Sequence, residues 1–305
     1  SGTPKVMMNV LITGGSGLIA GRLALYIKNM CNVTLASRKK ISPIEKVKII
    51  TANKLDSKDL LSQDIIIHTA SPNDKQCDDK KIREKYLNDT KILIENAIEC
   101  NVKKFIFTSS TRVYGSRPNR NITEQSSLSI DDNYSLVKKE IEDYLEEISS
   151  SDLSSCSLRI SNGYGYPVLR ESQCWSLVVM YACKQAFIDN KIVLRSNGEE
   201  YKDFIPISSV VETINNFIHA DFHHKYQVYN VTTGNTEKVK NILNNLIDRI
   251  YILYKKQVQL VLSNGQEKYP AYQIRNNLNA VNCSPSINHN QEIDMLIKYC
   301  QKNYQ

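Results

Sequence analysis

The sequence predicts an α/β protein with a doubly wound parallel sheet and a smaller, interwoven C-terminal α/β lobe. Two observations carry this. Short apolar strands alternate with helical periods over the first half of the chain, the pattern of parallel strands joined by helices. The first strand, Met8-Asn9-Val10-Leu11-Ile12, also runs into Thr13-Gly14-Gly15-Ser16-Gly17-Leu18-Ile19-Ala20, a glycine-rich turn that opens a helix.

Taken in order, residues 8–12 form the first strand and 18–29 a helix with Leu18, Ile19, Leu23 and Ile27 on one side. Strands follow at 32–36 and 47–50, then at 64–68, where Asp64-Ile65-Ile66-Ile67-His68 lacks alternation, as a strand buried on both faces should. A helix at 88–100, a strand at 105–109 and a helix at 134–148 come next. The last of these carries Val137, Ile141, Tyr144, Leu145 and Ile148 at spacings of three and four. Residues 157–160 complete the sixth strand. Beyond about residue 162 the rhythm breaks. A helix is expected at 175–190, another at 210–220, and Val228–Val231 returns to the sheet; the remainder reads as mixed. The expected division is a dinucleotide domain of 1–161 and 205–231, and a substrate lobe of 162–204 and 232–305.

The bulk numbers agree with a globular enzyme-sized chain. There are 305 residues, 41% of them hydrophobic and 23% charged, enough for a large core. No apolar run approaches the roughly 18 residues of a membrane span, and no leader segment is visible, so a cytoplasmic protein is expected. Ser1-Gly2 reads as an added remnant, with Met7 or Met8 nearer the native start. The eight cysteines form no Cys-x-x-Cys pair and no Cys/His cluster of metal-ligand spacing, which suits buried thiols in a reducing compartment and no metal. The net charge of +7 is scattered rather than striped, so no nucleic-acid partner is expected. A protein that holds diphosphates accounts for it equally well.

The glycine-rich turn is suited to a dinucleotide. Free N–H groups and the positive end of a helix point at an anion there. Gly14 permits the tight turn, Gly17 the approach of a pyrophosphate, and Ala20 close helix–strand packing; Ser16, Leu18 and Ile19 complete the loop. After the second strand stands Ala36-Ser37-Arg38-Lys39-Lys40, with no carboxylate for ribose hydroxyls and with Arg38 able to grip a 2′-phosphate. This favours NADP(H) over NAD, with Ser37 and Arg38 at the adenosine ribose.

Tyr134 and Lys138 are four residues apart and share a helix face. An ammonium beside a phenol favours phenolate and draws its pKa down from about 10. Ser110, at the end of the fifth strand, can hold a substrate oxygen against that tyrosine. Together they are the candidate catalytic set for proton transfer coupled to hydride transfer.

At these residues the chain resembles the extended short-chain dehydrogenase/reductase family, which includes nucleotide-sugar epimerases, dehydratases and reductases. Leu55-Asp56 looks like the family's adenine-contacting pair, Thr69 and Ala70 its cofactor-facing pair after the fourth strand, and Asn88 the residue that opens its next helix. Residues 110–115 resemble its Ser/Thr-x-x-Val-Tyr-Gly element, Tyr134 to Glu142 its Tyr-x-x-x-Lys-x-x-x-Glu, and 159–165 its Arg-x-x-Asn-x-Tyr-Gly. Lys202-Asp203-Phe204-Ile205 resembles an Arg-Asp-Phe-Ile segment, and Tyr229-Asn230-Val231 with Gly234 its returning strand.

The resemblance implies that Thr111 and Asn162 meet the substrate and that Arg195 and Arg275 meet its phosphates, as bidentate guanidinium–phosphate pairing allows. Glu171-Ser172-Gln173-Cys174-Trp175 either lines the sugar pocket or, at Trp175, joins the core. The dehydratases' Asp-Glu pair is Thr111-Arg112 here, and Ser161 stands where a Cys-type acid would. The family's simple 4-epimerases carry an acidic second-strand residue that is absent. The implied reaction is therefore reduction of a nucleotide-linked 4-keto-6-deoxy sugar by NADPH, in a homodimer paired through the helices at 88–100 and 134–148. The alternatives are a nucleotide-sugar 4-epimerase with retained cofactor, a non-catalytic cofactor-sensing protein, and an enzyme acting on a ketone without a nucleotide.

Overall fold

A computed structural model describes residues 7–118, 120–150, 152–222 and 225–304; Ser1-Gly2 lie outside the described residues. The strands are β1 Asn9–Thr13, β2 Asn32–Ser37, β3 Val47–Thr51, β4 Ile65–His68, β5 Lys104–Ser110, β6 Asn121–Ile122, β7 Ser154–Ile160, β8 Asn162–Tyr164, β9 Lys191–Leu194, β10 Tyr201–Lys202, β11 Phe204–Pro206, β12 Tyr226–Val231, β13 Glu237–Lys238, β14 Gln259–Leu262 and β15 Gln273–Ile274. The helices are α1 Leu18–Ile27, α2 Ser57–Leu60, α3 Asp74–Asp78, α4 Lys80–Glu99, α5 Asn133–Glu147, α6 Val178–Asp189, α7 Ile207–His219, α8 Val239–Tyr254 and α9 His289–Tyr304.

The central sheet has seven strands in the order β12-β7-β5-β4-β1-β2-β3, all parallel. The chain starts in the middle, winds to one edge, then crosses to the other. The order reverses between β1 and β4, and in such sheets ligands settle outside the carboxyl ends of the strands at that reversal. Val10, Leu11 and Ile12 of β1 and all of β4 are buried, as strands covered on both faces must be. One core starts on one side of the sheet, under α1 and α7, and runs on into α6, α8 and α9. The other packs α4 and α5 against the opposite side through Leu93, Ile94, Ala97, Ile141 and Leu145.

The expected strand at 228–231 is the end of β12 and pairs in parallel with β7. Small two-stranded ladders, β8 with β11, β9 with β14, β10 with β13 and β6 with β15, build the second region. Several elements went unread in the sequence, and two of these differences are long. The helix expected at 88–100 starts at Lys80, where Asp79 caps it by accepting from Lys81 N and Ile82 N. The mixed C-terminal stretch holds α8 and α9, each of 16 residues. Trp175 belongs to the core: it stacks on Tyr299 at 5.9 Å and meets Tyr304 edge-on at 5.4 Å. Glu171 accepts from Ser42 N and Oγ, tying its segment to the loop after β2. Among the described residues no helix is long and apolar enough to cross a membrane.

Candidate active site

The glycine turn sits where β1 meets α1. Gly14 has φ +73°, and a Cβ there would lie 2.6 Å from Ala70 N. Gly15 N donates to Ala36 O at 2.8 Å, and Gly17 N to Gly14 O at 2.7 Å, which closes the turn under the helix. Gly17 is the N-cap of α1 and offers no side-chain acceptor, so the first-turn N–H groups point outward without an intramolecular cap. Ser16 and Ile19 are half-buried beside them, and Leu18 and Ala20 are buried.

The neighbouring strand ends converge on this turn. Thr69 Oγ1 donates to Thr13 O at 2.7 Å, and Ala70 faces Gly14 directly. Below them His68 bridges Thr13 Oγ1 at 2.8 Å on Nδ1 and Thr90 Oγ1 at 3.2 Å on Nε2. It lies between the rings of Tyr86, Phe105 and Phe107. Burial, then the charge of Lys138, lowers its pKa to about 3, so the ring is neutral. A turn drawn this close to its neighbouring strand end, opening a helix whose first N–H groups have no side-chain cap among the described residues, fits a dinucleotide diphosphate.

Ser110, Tyr134 and Lys138 come together at the ends of β5 and α5. Ser110 caps the short 3-10 turn at 111–114, its Oγ accepting from Arg112 N at 3.2 Å, which fixes its side chain. Asp132 caps α5 through Ser135 N at 2.7 Å and so sets the direction of Tyr134. Lys138 is buried, donates to Thr108 O at 2.9 Å, and places Nζ 5.4 Å from the Tyr134 ring centre.

The expected depression of the Tyr134 pKa is corrected: it is pushed up to about 12, by burial first and then by the Asp74 carboxylate. Arg112 and Ser110 oppose that rise. Burial also lowers Lys138 to about 8, so the ammonium that should favour phenolate is itself weakened.

Behind this set lies a buried network. Glu142 accepts from Ser109 Oγ at 2.5 Å and from Arg159 Nη2 at 2.6 Å; Arg159 Nη1 donates to Tyr114 Oη at 2.8 Å, and Tyr114 Oη to Asn230 Oδ1 at 2.7 Å. The sequence reading left Arg112 with no role beyond its place in a motif. Its guanidinium pairs with Asp74 and Asp132 and lies 4.9 Å over the Tyr134 ring centre.

Other expected residues are less directly placed. Asn88 is exposed in the middle of α4 rather than at its start, because the helix begins two turns earlier. Leu55 packs on the second core, and the Asp56 carboxylate caps α2, accepting from Lys58 N at 2.8 Å. Thr111 is buried next to Ser110. Asn162 is exposed and gives its Nδ2 to Asp203 O at 3.0 Å. Asp203 in turn is the hub for Ser161 Oγ, Thr233 N and Gly234 N. Arg195 and Arg275 are exposed, and neither side chain makes a hydrogen bond or ion pair among the described residues. Arg275 is linked to the site through its backbone, since Asn230 Nδ2 donates to its carbonyl at 2.8 Å. Arg195 follows β9, which pairs with β14 and not with a strand carrying the catalytic set. Among the described residues no group of His, Cys, Asp and Glu is arranged to hold a metal.

The NAD dependent epimerase/dehydratase family matches residues 10–232. The chain belongs to that family. No curated protein matches at a significant level. Among solved structures, a UDP-N-acetylglucosamine 4-epimerase from Methanobrevibacter ruminantium M1, in complex with UDP-N-acetylmuramic acid, is similar over 96% of this chain and 98% of its own, with 22% identity and a TM-score of 0.81. MoeE5 in complex with UDP-glucuronic acid and NAD is similar over 96% and 99%, at 18% identity and TM-score 0.81. TunA, described as an NAD dependent NDP-hexosamine 5,6-dehydratase, is similar over 97% and 98%, at 21% identity and TM-score 0.79. At these identities the likeness is one of fold.

The comparisons correct the cofactor expectation. The family is described as NAD dependent, and NAD is the dinucleotide in MoeE5 and in a UDP-glucuronic acid 4-epimerase from Bacillus cereus. NADP(H) was inferred from a missing carboxylate and from Arg38. In the structure Arg38 is exposed and has no hydrogen bond or ion pair among the described residues, so nothing holds it as a phosphate clamp. Ser37 instead is buried, its hydroxyl accepting from Lys39 N at 3.2 Å.

Proposed function

We propose that this family member is an NAD-dependent nucleotide-sugar 4-epimerase. The observation that carries the reading is the convergence of Ser110, Tyr134 and Lys138 beside the glycine cradle, with Thr111 and Arg112 where a dehydratase of the resembled family has acids. The enzymes with similar folds act on, or hold, nucleotide sugars by their descriptions, which supports that substrate class here. The first expectation, reduction of a nucleotide-linked 4-keto-6-deoxy sugar, drew on NADPH as a consumed reductant. With NAD the redox-neutral reaction is favoured, because oxidant and reductant are then one retained cofactor.

Bound NAD supplies a hydride acceptor and afterwards a hydride donor. The residues of the chain do the rest. The N-terminus of α1 and the turn of Gly14 and Gly17 hold the diphosphate, Ser16, Leu18 and Ile19 flank it, and Ser37, Leu55, Asp56, Thr69 and Ala70 border the nucleoside. Ser37 offers a hydroxyl to the ribose in place of a carboxylate. Tyr134 Oη, as phenolate, takes the proton from the sugar C4 hydroxyl as C4 is oxidised, and returns it to the same oxygen when C4 is reduced again from its opposite face. Ser110 holds that oxygen, and Lys138 orients the nicotinamide ribose. Residues 1–161 and 205–231 are assigned to NAD. Residues 162–204 and 232–305 are assigned to the nucleotide sugar, with Thr111, Asn162, Arg195 and Arg275 as its contacts. Pairing of α4 and α5 with a second copy is the proposed dimer.

The test is product analysis of UDP-hexoses, UDP-N-acetylhexosamines and UDP-hexuronic acids incubated without added dinucleotide. Interconversion of 4-epimers with no net change at 340 nm, lost by about 100-fold or more in Tyr134→Phe, is the expected result. In a parallel assay with added NADH, its stoichiometric oxidation by a nucleotide-linked 4-keto-6-deoxy sugar would make the protein a reductase. Full activity in Tyr134→Phe would remove the catalytic assignment.

A further inference from the structure

Arg112 is placed to act on the proposed proton carrier. Its guanidinium lies 4.9 Å from the Tyr134 ring centre. It is held there from two sides, by Asp74 of α3 and by Asp132, whose other oxygen caps the helix that carries Tyr134. Asp132 receives both Nε at 3.2 Å and Nη2 at 2.6 Å, a fork that fixes the plane of the guanidinium. The groups facing Tyr134 are Asp74 and Cys77 from α3, Arg112 and Ser110 from the segment after β5, Tyr86 from α4, and Lys138 from its own helix. Of these, Asp74 is the carboxylate, and Arg112 is the cation paired with it.

We propose that Arg112 is a positioning residue for proton transfer, neutralising Asp74 against Tyr134 and locking the N-terminal turn of α5 so that the phenol can ionise during catalysis. The proposal rests on the assignment of Tyr134 as the proton carrier. Its physical basis is simple. A carboxylate near a half-buried phenol disfavours phenolate, and a guanidinium between them removes that penalty. The direction of the Asp74 and Arg112 effects on Tyr134 agrees with this. A lysine at 112 would keep the charge but not the fork, since an ammonium cannot bind one carboxylate through two fixed N–H groups while reaching a second.

The experiment is the pH dependence of kcat and KM, using the UDP-sugar that the wild-type enzyme turns over fastest, for wild type, Arg112→Ala, Arg112→Lys, Asp74→Asn and the double variant Arg112→Ala/Asp74→Asn. The rising limb of kcat for the oxidative half reports loss of a proton from the base. Arg112→Ala should move that limb about one unit toward alkaline pH, a roughly tenfold loss of kcat below the limb, with KM little changed. Arg112→Lys should fall between. Asp74→Asn in the Arg112→Ala background should return the limb toward wild type, which repair of a merely structural defect would not do. An Arg112→Ala profile that superimposes on wild type, or a shift that Asp74→Asn leaves in place, overturns the proposal while leaving the function intact. Absence of turnover in wild type, or full activity in Tyr134→Phe, overturns the function itself and this proposal with it.

Discussion

Gly14 shows how narrowly one residue can be specified. Its φ of +73° is disfavoured for any side chain, and the space a Cβ needs is filled by the backbone of Ala70. Gly14→Ala should therefore destabilise the protein by about 2 kcal/mol and weaken NAD retention by at least tenfold, measured by urea unfolding and by cofactor content after gel filtration; unchanged retention would mean that the turn does not hold the dinucleotide. His68 sets a second prediction. Its folded pKa of about 3 lies below the usual 6.5, so the unfolded chain binds the extra proton between those values. Stability is then full above about pH 6.5 and falls as the pH drops toward 3, by about 3 kcal/mol at pH 4.5. In His68→Gln the difference in unfolding free energy between pH 7 and pH 4.5 should shrink by about that amount. At this scale the sequence was legible where backbone geometry dictates a residue type, as at Gly14 and Gly17. It misled where a charge acts through space: Lys138 follows Tyr134 by one helical turn, but burial of both outweighs their attraction.

At the scale of elements, α5 is tied to the sheet by an ion pair as well as by its apolar face. Glu142 and Arg159 are both nearly fully buried, and the pair reaches β5 through Ser109, the 111–114 turn through Tyr114, and β12 through Asn230. Removing one partner leaves a buried charge alone, so Glu142→Gln or Arg159→Met should each cost about 3–5 kcal/mol. The double variant Glu142→Leu/Arg159→Met should cost less than either single change. A double cost equal to the sum of the singles would show that the two residues do not act as a pair. The spacing of Tyr134, Lys138 and Glu142 was visible in the sequence because i, i+4 and i+8 share a helix face. The partner of Glu142 was not, since register between α5 and β7 is set only by packing. The early start of α4 was missed for a related reason. Residues 80–87 are charged and weakly apolar, and the cap at Asp79 starts the helix where hydrophobic periodicity is faint.

Across the whole molecule, the first helix and the last are joined through a buried ion pair. Arg22 of α1 forms a bidentate pair with Glu292 of α9, 270 positions away, while Glu292 also accepts from Ser208 N at 3.1 Å. Trp175, the one tryptophan, packs on Tyr299 and Tyr304 of the same helix. Its fluorescence therefore reports the docking of α9. Thermal or urea unfolding should show coincident transitions by tryptophan fluorescence and far-ultraviolet circular dichroism, and Glu292→Ala should move both together by about 3–5 kcal/mol. A fluorescence change that precedes the loss of helix would mean that α9 docks as a separate unit.

Periodicity, strand composition and the glycine turn were enough to determine the class of fold, the strands β1 to β5 and β7 with the helices α1 and α5, and the places of Ser110, Tyr134 and Lys138 on those elements, because each depends on residues close in sequence. The dinucleotide was not determined in this way. Arg38 invited a 2′-phosphate on composition alone, whereas its side chain is exposed with no partner among the described residues to hold it in place, and the family is described as NAD dependent. Tertiary structure alone decided that Trp175 joins the core, that α8 and α9 pack on each other and on α6, and that Arg112 pairs with Asp74 while lying over the Tyr134 ring. Each of these joins residues from distant segments, and the free energy that places them comes from burial and pairing that no local pattern records.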